Sequence, residues 1–216
     1  LYEDEIVWQD YHGGDWDIFL YNITTSVPSA IVTGAGDQKH PAIMGNHMAY
    51  ENWSDPLHPE IWLYDIAGGN SVPVVSGSFA RYPALSQTYV VWEDHSGSGS
   101  LVFGYSLATG IVSRITPASL TTEQMHPAIA GNTVVVEDYR QSANGAIYLY
   151  DLPDGTETWV SPLSGSVIQK TPAIYQDRIV WDDSRSDTSS DIYLLTRGVS
   201  ESCPAADFSP SVHAGT

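Results

Sequence analysis

Short apolar segments recur along the whole chain, and each one is bounded by Gly, Asn, Asp, Ser or Pro. The segments are rich in Val, Ile, Tyr and Trp, which favour β-strands, and the bounding residues favour tight turns. No stretch of ten or more residues places its apolar positions at the helical period of about 3.6 residues. This pattern predicts an all-β protein with almost no helix.

The segments are organised as a repeat. A Pro-Ala-Ile or Pro-Ala-Leu tripeptide recurs at intervals of 42, 44 and 45 residues, beginning at Pro41, Pro83, Pro127 and Pro172. Each copy continues with a pentad that ends in an acid or amide: MAYEN, VVWED, VVVED and IVWDD, with an earlier copy, IVWQD, at 6–10. A third segment, such as EIWLYD or AIYLYD, and a shorter fourth segment complete the copy. Several segments are apolar at successive positions, which predicts strands covered on both faces.

Four short, covered strands per copy are typical of a β-propeller blade. We therefore predict an all-β β-propeller with about five four-stranded blades of about 43 residues, or a segment of a larger ring. The regular spacing of the four strand types disfavours a sandwich or an irregular barrel. The propeller is expected in residues 1–202, with repeats near 1–39, 40–80, 81–125, 126–170 and 171–202, followed by a linker or tail at 203–216.

Both ends of this array are incomplete. Leu1-Tyr2 aligns with Ile174-Tyr175, so the first copy lacks most of its innermost strand, and the last copy has no obvious fourth strand. Unpaired strand edges favour association with another chain. Three explanations stay open: a larger ring, completion of a blade by residues 198–206, or self-association with a neighbouring molecule. We favour a five-bladed unit from a longer multidomain chain.

One repeat carries a family resemblance. The sequence HPAIAGNTVVVEDYRQSANGAIYLYDLPDG, at 126–155, resembles the repeat of TolB-like β-propellers, in particular the type found in surface proteins of archaea and bacteria. The resemblance extends over about nine-tenths of the chain and recurs in five copies. The ending CPAADFSPSVHAGT, at 203–216, resembles the start of a PKD-like domain. These resemblances imply a propeller fold and an extracellular or cell-surface location.

The charge balance restricts the partners. The chain has 26 acidic and 8 basic residues, a formal net charge of −18. A nucleic-acid binder needs a basic surface, and anionic membranes would repel this protein, so neither partner is expected. Hydrophobic residues make up 42% of the chain and argue against disorder. No apolar run approaches the ~18 residues of a membrane span, so membrane insertion is not expected either.

Much of the acid lies in the turns between the second and third strands. Clustered carboxylates separated by glycine could ligate calcium, and DYHGGDWD gives Asp10, Asp15 and Asp17 as candidate ligands. These turns are expected to lie together on one rim of the propeller, and this acidic rim could instead attract a basic partner. An acid or amide ends every pentad, and such regular recurrence favours a turn cap or an interblade hydrogen bond over a ligand. No cofactor is therefore required, and calcium is kept as an alternative.

Aromatic and histidine residues supply the remaining binding candidates. Four turn aromatics could stack on sugar rings, although packing at the rim is favoured over binding: Tyr11, Trp16, Trp53 and Tyr139. His40 and His126 precede Pro-Ala and are predicted to line the entrance of the channel, with Arg81 and Thr171 at the equivalent positions. His95 lies in a turn and is expected to be solvated.

No catalytic motif stands out in the sequence. There is no G-x-S-x-G nucleophile elbow and no glycine-rich phosphate loop. Some lyases with TolB-like propellers hold a catalytic metal with histidines, but their motif does not match this sequence. We predict a non-catalytic extracellular or cell-surface module for protein–protein interaction, adhesion or surface-layer architecture, which binds a protein or a glycan at its acidic rim. The alternatives are a carbohydrate-binding propeller and, less favoured, a glycan-degrading lyase or glycosidase.

Overall fold

The structure is a computed structural model that describes residues 1–117, 122–152, 154–160, 167–185 and 190–197. Throughout these ranges the chain forms β-strands and turns without helix, which confirms the all-β prediction. In the same ranges there is accordingly no helix that could cross a membrane. The PKD-like ending at 203–216 and the strand considered at 198–206 lie outside the described residues.

The strands form five antiparallel sheets, and each sheet is built from strands that follow one another in the chain. The first sheet contains β1 (Glu5–His12), β2 (Asp15–Asn22) and β3 (Val27–Val32). The second contains β4 (Asp37–Met44), β5 (His47–Trp53), β6 (Glu60–Asp65) and β7 (Asn70–Val75). The third contains β8 (Ala80–Leu85), β9 (Tyr89–Asp94), β10 (Leu101–Ser106) and β11 (Val112–Arg114).

The fourth sheet contains β12 (Gln124–Ala130), β13 (Thr133–Asp138), β14 (Ala146–Asp151) and β15 (Thr156–Trp159). The fifth contains β16 (Gln169–Tyr175), β17 (Arg178–Asp183) and β18 (Asp191–Thr196). The three middle sheets therefore have the four strands of a propeller blade, and the first and fifth have three within the described ranges. Within the described residues, the first sheet begins with the second strand of the repeat and the fifth ends with the third strand, and the residues after 197 lie outside these ranges.

Apolar side chains on both faces of each middle sheet join the blades. Val134 and Val136 of β13 pack with Val91 of the third sheet. Val135, on the opposite face of the same strand, packs with Trp181 of the fifth sheet. Successive strand residues point to opposite faces, so a strand without alternation is buried on both sides. The continuous apolar pentads therefore encode face-to-face packing of the sheets in chain order.

Candidate functional site

The first strands of sheets two to five share an unusual backbone at the residue before proline. His40, Tyr82, His126 and Thr171 all have positive φ, between 49° and 52°. Each lies in a break of the strand register, for example between Lys39 and Ala42. Positive φ is uncommon for residues other than glycine and costs roughly 1–2 kcal/mol. Four equal deviations at one repeat position indicate that the surrounding structure compensates this cost.

The compensation is a hydrogen bond from this residue to the preceding sheet. In every case the backbone N–H donates to a side-chain oxygen at the fourth position of the preceding pentad. The four bonds, with their N···O distances, are His40 to Gln9 (2.7 Å), Tyr82 to Glu51 (2.7 Å), His126 to Glu93 (2.6 Å) and Thr171 to Glu137 (3.0 Å). We call these four bonds the interblade clasps. Three have a carboxyl acceptor, and those of Glu51 and Glu137 have a lowered pKa; hydrogen bonds to an ionised acceptor are stronger than neutral ones.

Glu51 shows how a clasp carboxylate is satisfied. Its side chain is fully buried, and the Trp53 indole N–H donates to its Oε2 at 2.7 Å. Nδ1 of His40 lies 2.9 Å from its Oε1. Burial alone would raise the pKa of Glu51, but the His40 imidazole, the Tyr82 backbone N–H and the Trp53 indole outweigh it and hold the pKa below its usual value. Glu51 therefore stays ionised as a structural acceptor.

Glu137 repeats this arrangement two blades later. Nδ1 of His126 lies 3.0 Å from its Oε2, and the Tyr139 hydroxyl donates to its Oε1. Burial alone would raise the pKa of Glu137, but its contacts with His126, Tyr139 and the Thr171 backbone lower it overall. The hydrogen bond to Glu137 in turn raises the pKa of His126. The pair is thus stabilised in its charged form.

The third clasp corrects the expectation for His95. This residue is not simply solvated, because its Nε2 lies 2.8 Å from Oε2 of the buried Glu93. His95, Trp53 and Tyr139 occupy the same position of the repeat, two residues after the clasp carboxylate. Each therefore provides a ring donor to the carboxylate of its own blade.

Together, the residues before proline form a shallow depression at the centre of the sheets. We call it the channel mouth. It has a volume of about 440 Å³ and is lined by His40, Pro41, Tyr82, Pro83, His126, Pro127, Thr171 and Pro172. The His40 and Tyr82 ring centroids are 4.9 Å apart, and those of Tyr82 and His126 are 6.5 Å apart. His40 and His126, the two histidines predicted at the channel entrance, are both among its lining residues, and a binding role for them stays a prediction.

The prediction for Arg81 was wrong by one residue. Tyr82, which directly precedes Pro83, takes the position equivalent to His40, and Arg81 lies one place earlier in the strand. The Arg81 guanidinium lies over two rings, 5.2 Å from the centroid of Trp53 and 4.4 Å from that of Tyr82. Thr171 is at the equivalent position, as predicted. In all four sheets the residue directly before proline lines the channel mouth.

The turn aromatics separate into two groups. Trp53 and Tyr139 donate to clasp carboxylates, so their polar atoms are engaged inside the blades. Tyr11 and Trp16 face each other across the hairpin of the first sheet, with ring centroids 5.5 Å apart in an edge-on arrangement. The Tyr11 hydroxyl donates to the carbonyl of Gly14 at 3.0 Å. The structure therefore does not bring the four aromatics together into one surface.

The acids considered for calcium lie on the same hairpin. Asp10 is opposite Asp17 in the strand register, and Asp15 is opposite His12. Burial raises the pKa of Asp17, and the neighbouring Asp15 raises it further. Across the described part of the chain, no group of three or more His, Cys, Asp or Glu residues could hold a metal ion. Calcium binding by Asp10, Asp15 and Asp17 stays a prediction.

The last residue of the pentad is a turn cap in four sheets. The side-chain oxygen accepts the backbone N–H of the residue two positions later, at 2.8 to 3.0 Å, in Asn52, Asp94, Asp138 and Asp183. Such Asx turns are a common use of these residues. In the first sheet β1 continues past Asp10 to His12, so the turn begins later. Recurrence thus identified the cap correctly.

Sequence reasoning missed the clasp carboxylates themselves. Glu51, Glu93 and Glu137 directly precede the caps and lie within apolar pentads. A charged residue that recurs inside an otherwise buried strand requires a partner. That recurrence was the available signal, but it did not identify the partner in the next blade.

The chain has no match among protein-family models or curated proteins. Solved structures match it with sequence identities that show the fold alone. TolB from Acinetobacter baumannii is 17% identical, with a TM-score of 0.62, and the match covers 84% of this chain and 46% of that one. An oligogalacturonate lyase in complex with manganese is 11% identical, with a TM-score of 0.67 and coverage of 89% and 59%. A prolyl endopeptidase is 17% identical, with a TM-score of 0.66 and coverage of 89% and 31%.

These matches define the class of protein: an all-β β-propeller. More specifically, the fold is TolB-like, since a putative TolB from Agrobacterium tumefaciens also matches, at 17% identity and a TM-score of 0.59. That match covers 72% of this chain and 60% of that one. The chain spans about a third to three-fifths of the length of the structures it matches.

Proposed function

We propose that this chain is a non-catalytic propeller module that binds another protein at the channel mouth. The proposal rests on the different environments of two sets of polar groups. The buried carboxylates are engaged in the interblade clasps, whereas the imidazole, phenol and hydroxyl groups before the prolines line an open depression. Concave surfaces with a few convergent polar groups are the usual binding sites of proteins.

The state of the carboxylates supports binding over catalysis. A general acid or base works best when its pKa lies near the working pH. The pKa values of Glu51 and Glu137 lie below their usual value, and both side chains already accept several hydrogen bonds. Lyase and peptidase propellers are also among the structural matches, so the fold by itself favours neither function. We extend the proposal to an extracellular or cell-surface location, which the acidic surface and the TolB-like fold support.

A peptide-display experiment tests the binding site. Peptides selected on the intact protein from a random library are expected to lose roughly tenfold in affinity with Tyr82→Asn, a loss of about 1.4 kcal/mol. Asparagine is chosen because it tolerates positive φ. The matched control is Tyr11→Asn on the exposed first hairpin, which should leave the affinity unchanged. No selected peptide, or sensitivity to Tyr11→Asn instead, would overturn the proposal. So would turnover of an oligosaccharide or peptide that Tyr82→Asn abolishes.

A second candidate function, carbohydrate binding, is favoured by the exposed Tyr11 ring and its edge-on contact with Trp16. Such rings at a surface could stack on a sugar. Binding on a glycan array that Tyr11→Asn removes and Tyr82→Asn leaves intact would support it. An array with no hit would reject it.

A further inference from the structure

A buried carboxylate lies beside Nδ1 of each imidazole at the channel mouth, in a hydrogen bond at His126 and at ion-pair distance at His40. Nδ1 of His40 lies 2.9 Å from Glu51, and Nδ1 of His126 lies 3.0 Å from Glu137. An ionised carboxylate can only accept, so Nδ1 carries the proton in each ring. When the ring is neutral, Nε2 is then an acceptor; because Glu137 raises the pKa of His126, that ring is neutral only at a pH above its raised pKa. The two histidine side chains are 40% and 42% exposed, so these acceptors are accessible from the channel mouth.

The other two side chains of the channel mouth, Thr171 and Tyr82, also suit a ligand that donates hydrogen bonds or carries a positive charge. Thr171 donates its hydroxyl proton to Asp182 at 2.7 Å, which leaves the lone pairs of its oxygen as acceptors. Tyr82 provides an aromatic ring that already stacks with the Arg81 guanidinium at 4.4 Å. Aromatic faces attract cations. The four side chains therefore present acceptors and a π surface to a ligand that carries donors.

The charges around the channel mouth favour a cation. The carboxylates of the second strands that contact its lining residues are Glu51, Glu93, Glu137 and Asp182. The nearby cations are Arg81, which lies 3.9 Å from Glu51, and Lys170, which acts electrostatically on His126. The Lys39 ammonium is paired with Asp37 at 2.5 Å. The carboxylates thus outnumber the cations, and the net charge of −18 attracts basic ligands from a distance.

We propose that the channel mouth binds an arginine side chain of the partner protein. The guanidinium stacks on the Tyr82 ring and donates N–H groups to Nε2 of the flanking His40 and His126 rings. Its planar fork of five donors suits a site that combines a ring face with acceptors at the edge. This inference rests on the proposed function and names the chemical group that the channel mouth recognises.

Nuclear magnetic resonance of the histidine ring nitrogens tests the proposal on the intact protein. N-acetyl-arginine amide is expected to produce saturable shifts of the His40 and His126 Nε2 signals. The neutral isostere N-acetyl-citrulline amide should bind several-fold more weakly, because it keeps the donors and loses the charge. N-acetyl-glutamate amide should not bind. Saturable binding of the glutamate compound, or equal affinity for arginine and citrulline, would overturn the assignment.

The pH dependence provides a second readout. Protonation of His126, whose pKa the Glu137 hydrogen bond raises, converts its Nε2 from an acceptor into a donor on a cationic ring, so binding of the arginine amide should weaken as the pH falls through that raised pKa. The double variant His40→Gln/His126→Gln should retain binding without this pH dependence, because glutamine keeps a neutral acceptor. The control His58→Gln, in an exposed turn, should behave as the unmodified protein. An unchanged pH dependence in the double variant would contradict the role of the imidazoles.

The display experiment separates the two proposals. Peptides that bind at the channel mouth should be enriched in arginine. Binding there without such enrichment would refute the arginine proposal and leave the interaction module intact. Absence of binding at the channel mouth would refute the proposed function itself.

Discussion

The interface between the fourth and fifth sheets and the open face of the fifth sheet place the same repeat positions in two environments. Glu137 lies in the interface, where it accepts the backbone N–H of Thr171 and contacts His126 and Tyr139. Asp182 is its equivalent on the open face and accepts the Thr171 hydroxyl. The same acidic position thus becomes a structural clasp only where a following sheet supplies a backbone donor.

The apolar positions show the same contrast. Ile147 is fully buried under the fifth sheet, whereas its equivalent Ile192 is 63% exposed. Leu149 and Leu194 form a second pair of this kind, buried in the interface and exposed on the open face. Burial of these side chains depends on the next sheet, so the stability of each sheet includes a contribution from its neighbour.

Removal of the clasp carboxylate should give the largest difference in the free energy of unfolding between the interface and the open face. We expect Glu137→Ala to lower the free energy of unfolding by about 3–5 kcal/mol, because it leaves several buried donors without a partner. Asp182→Ala, the matched control, should cost less than about 1 kcal/mol. Urea unfolding at neutral pH measures both values. Equal losses would show that the interface does not distinguish the two acids.

This contrast also shows how far the sequence could predict the structure. The strands, the repeat and the turn caps follow from local patterns, because a strand and its turn are encoded within one copy. The role of Glu137 depends on a backbone N–H of the next blade, which a positive φ and a register break at Thr171 bring into range. A single copy of the repeat contains only half of that clasp.

The channel mouth illustrates the same limit. The Pro-Ala motif indicated His40 and His126, which line the channel mouth, but Arg81 was assigned in place of Tyr82, the residue that directly precedes Pro83 in the sequence. The contact of His95 was missed because its side chain reaches back from the turn to the buried Glu93. The His95 contact is local, but the periodicity of the strands does not show which way a turn side chain points.

The second prediction concerns the apolar half of the comparison. Ile147→Ala should cost about 3 kcal/mol, since it removes buried contacts and leaves a cavity between two sheets. Ile192→Ala should change stability by about 0.5 kcal/mol or less, because most of that side chain is exposed. Chemical denaturation of the two variants measures the difference. A large loss for Ile192→Ala would indicate that another sheet covers the open face in solution.

The third prediction addresses the ring donors within the clasps. Trp53→Phe removes the indole N–H that Glu51 accepts, and a loss of about 1–3 kcal/mol is expected for a buried charged acceptor deprived of one donor. Trp16→Phe is the control, since the Trp16 ring lies on the first hairpin away from any clasp. It should cost less than about 0.5 kcal/mol. A comparable loss in both variants would assign the effect to ring size.

The pH dependence of stability is expected to show the smallest effect. The pKa values of Glu51 and Glu137 are lowered in the folded protein, so their contribution is present above about pH 4.5 and is lost as the pH falls through the folded values. The pKa of His126 is raised, so its contribution is complete below about pH 6.5 and is lost as the pH rises through the folded value. Stability should therefore be greatest between these limits.

On the alkaline side, the loss of stability is expected to come from the contact between His126 and Glu137. Because the His126 ring is partly solvated, its loss should amount to less than about 1 kcal/mol. His126→Asn should flatten this side of the profile and reduce the acid side only in part, because Glu137 keeps its contacts with Tyr139 and the Thr171 backbone and Glu51 is unaffected. His58→Asn, in an exposed turn, should change neither side. Thermal unfolding across the pH range distinguishes these outcomes, and an alkaline decline that persists in His126→Asn would locate the titrating group elsewhere, outside the clasp that joins the fourth and fifth sheets.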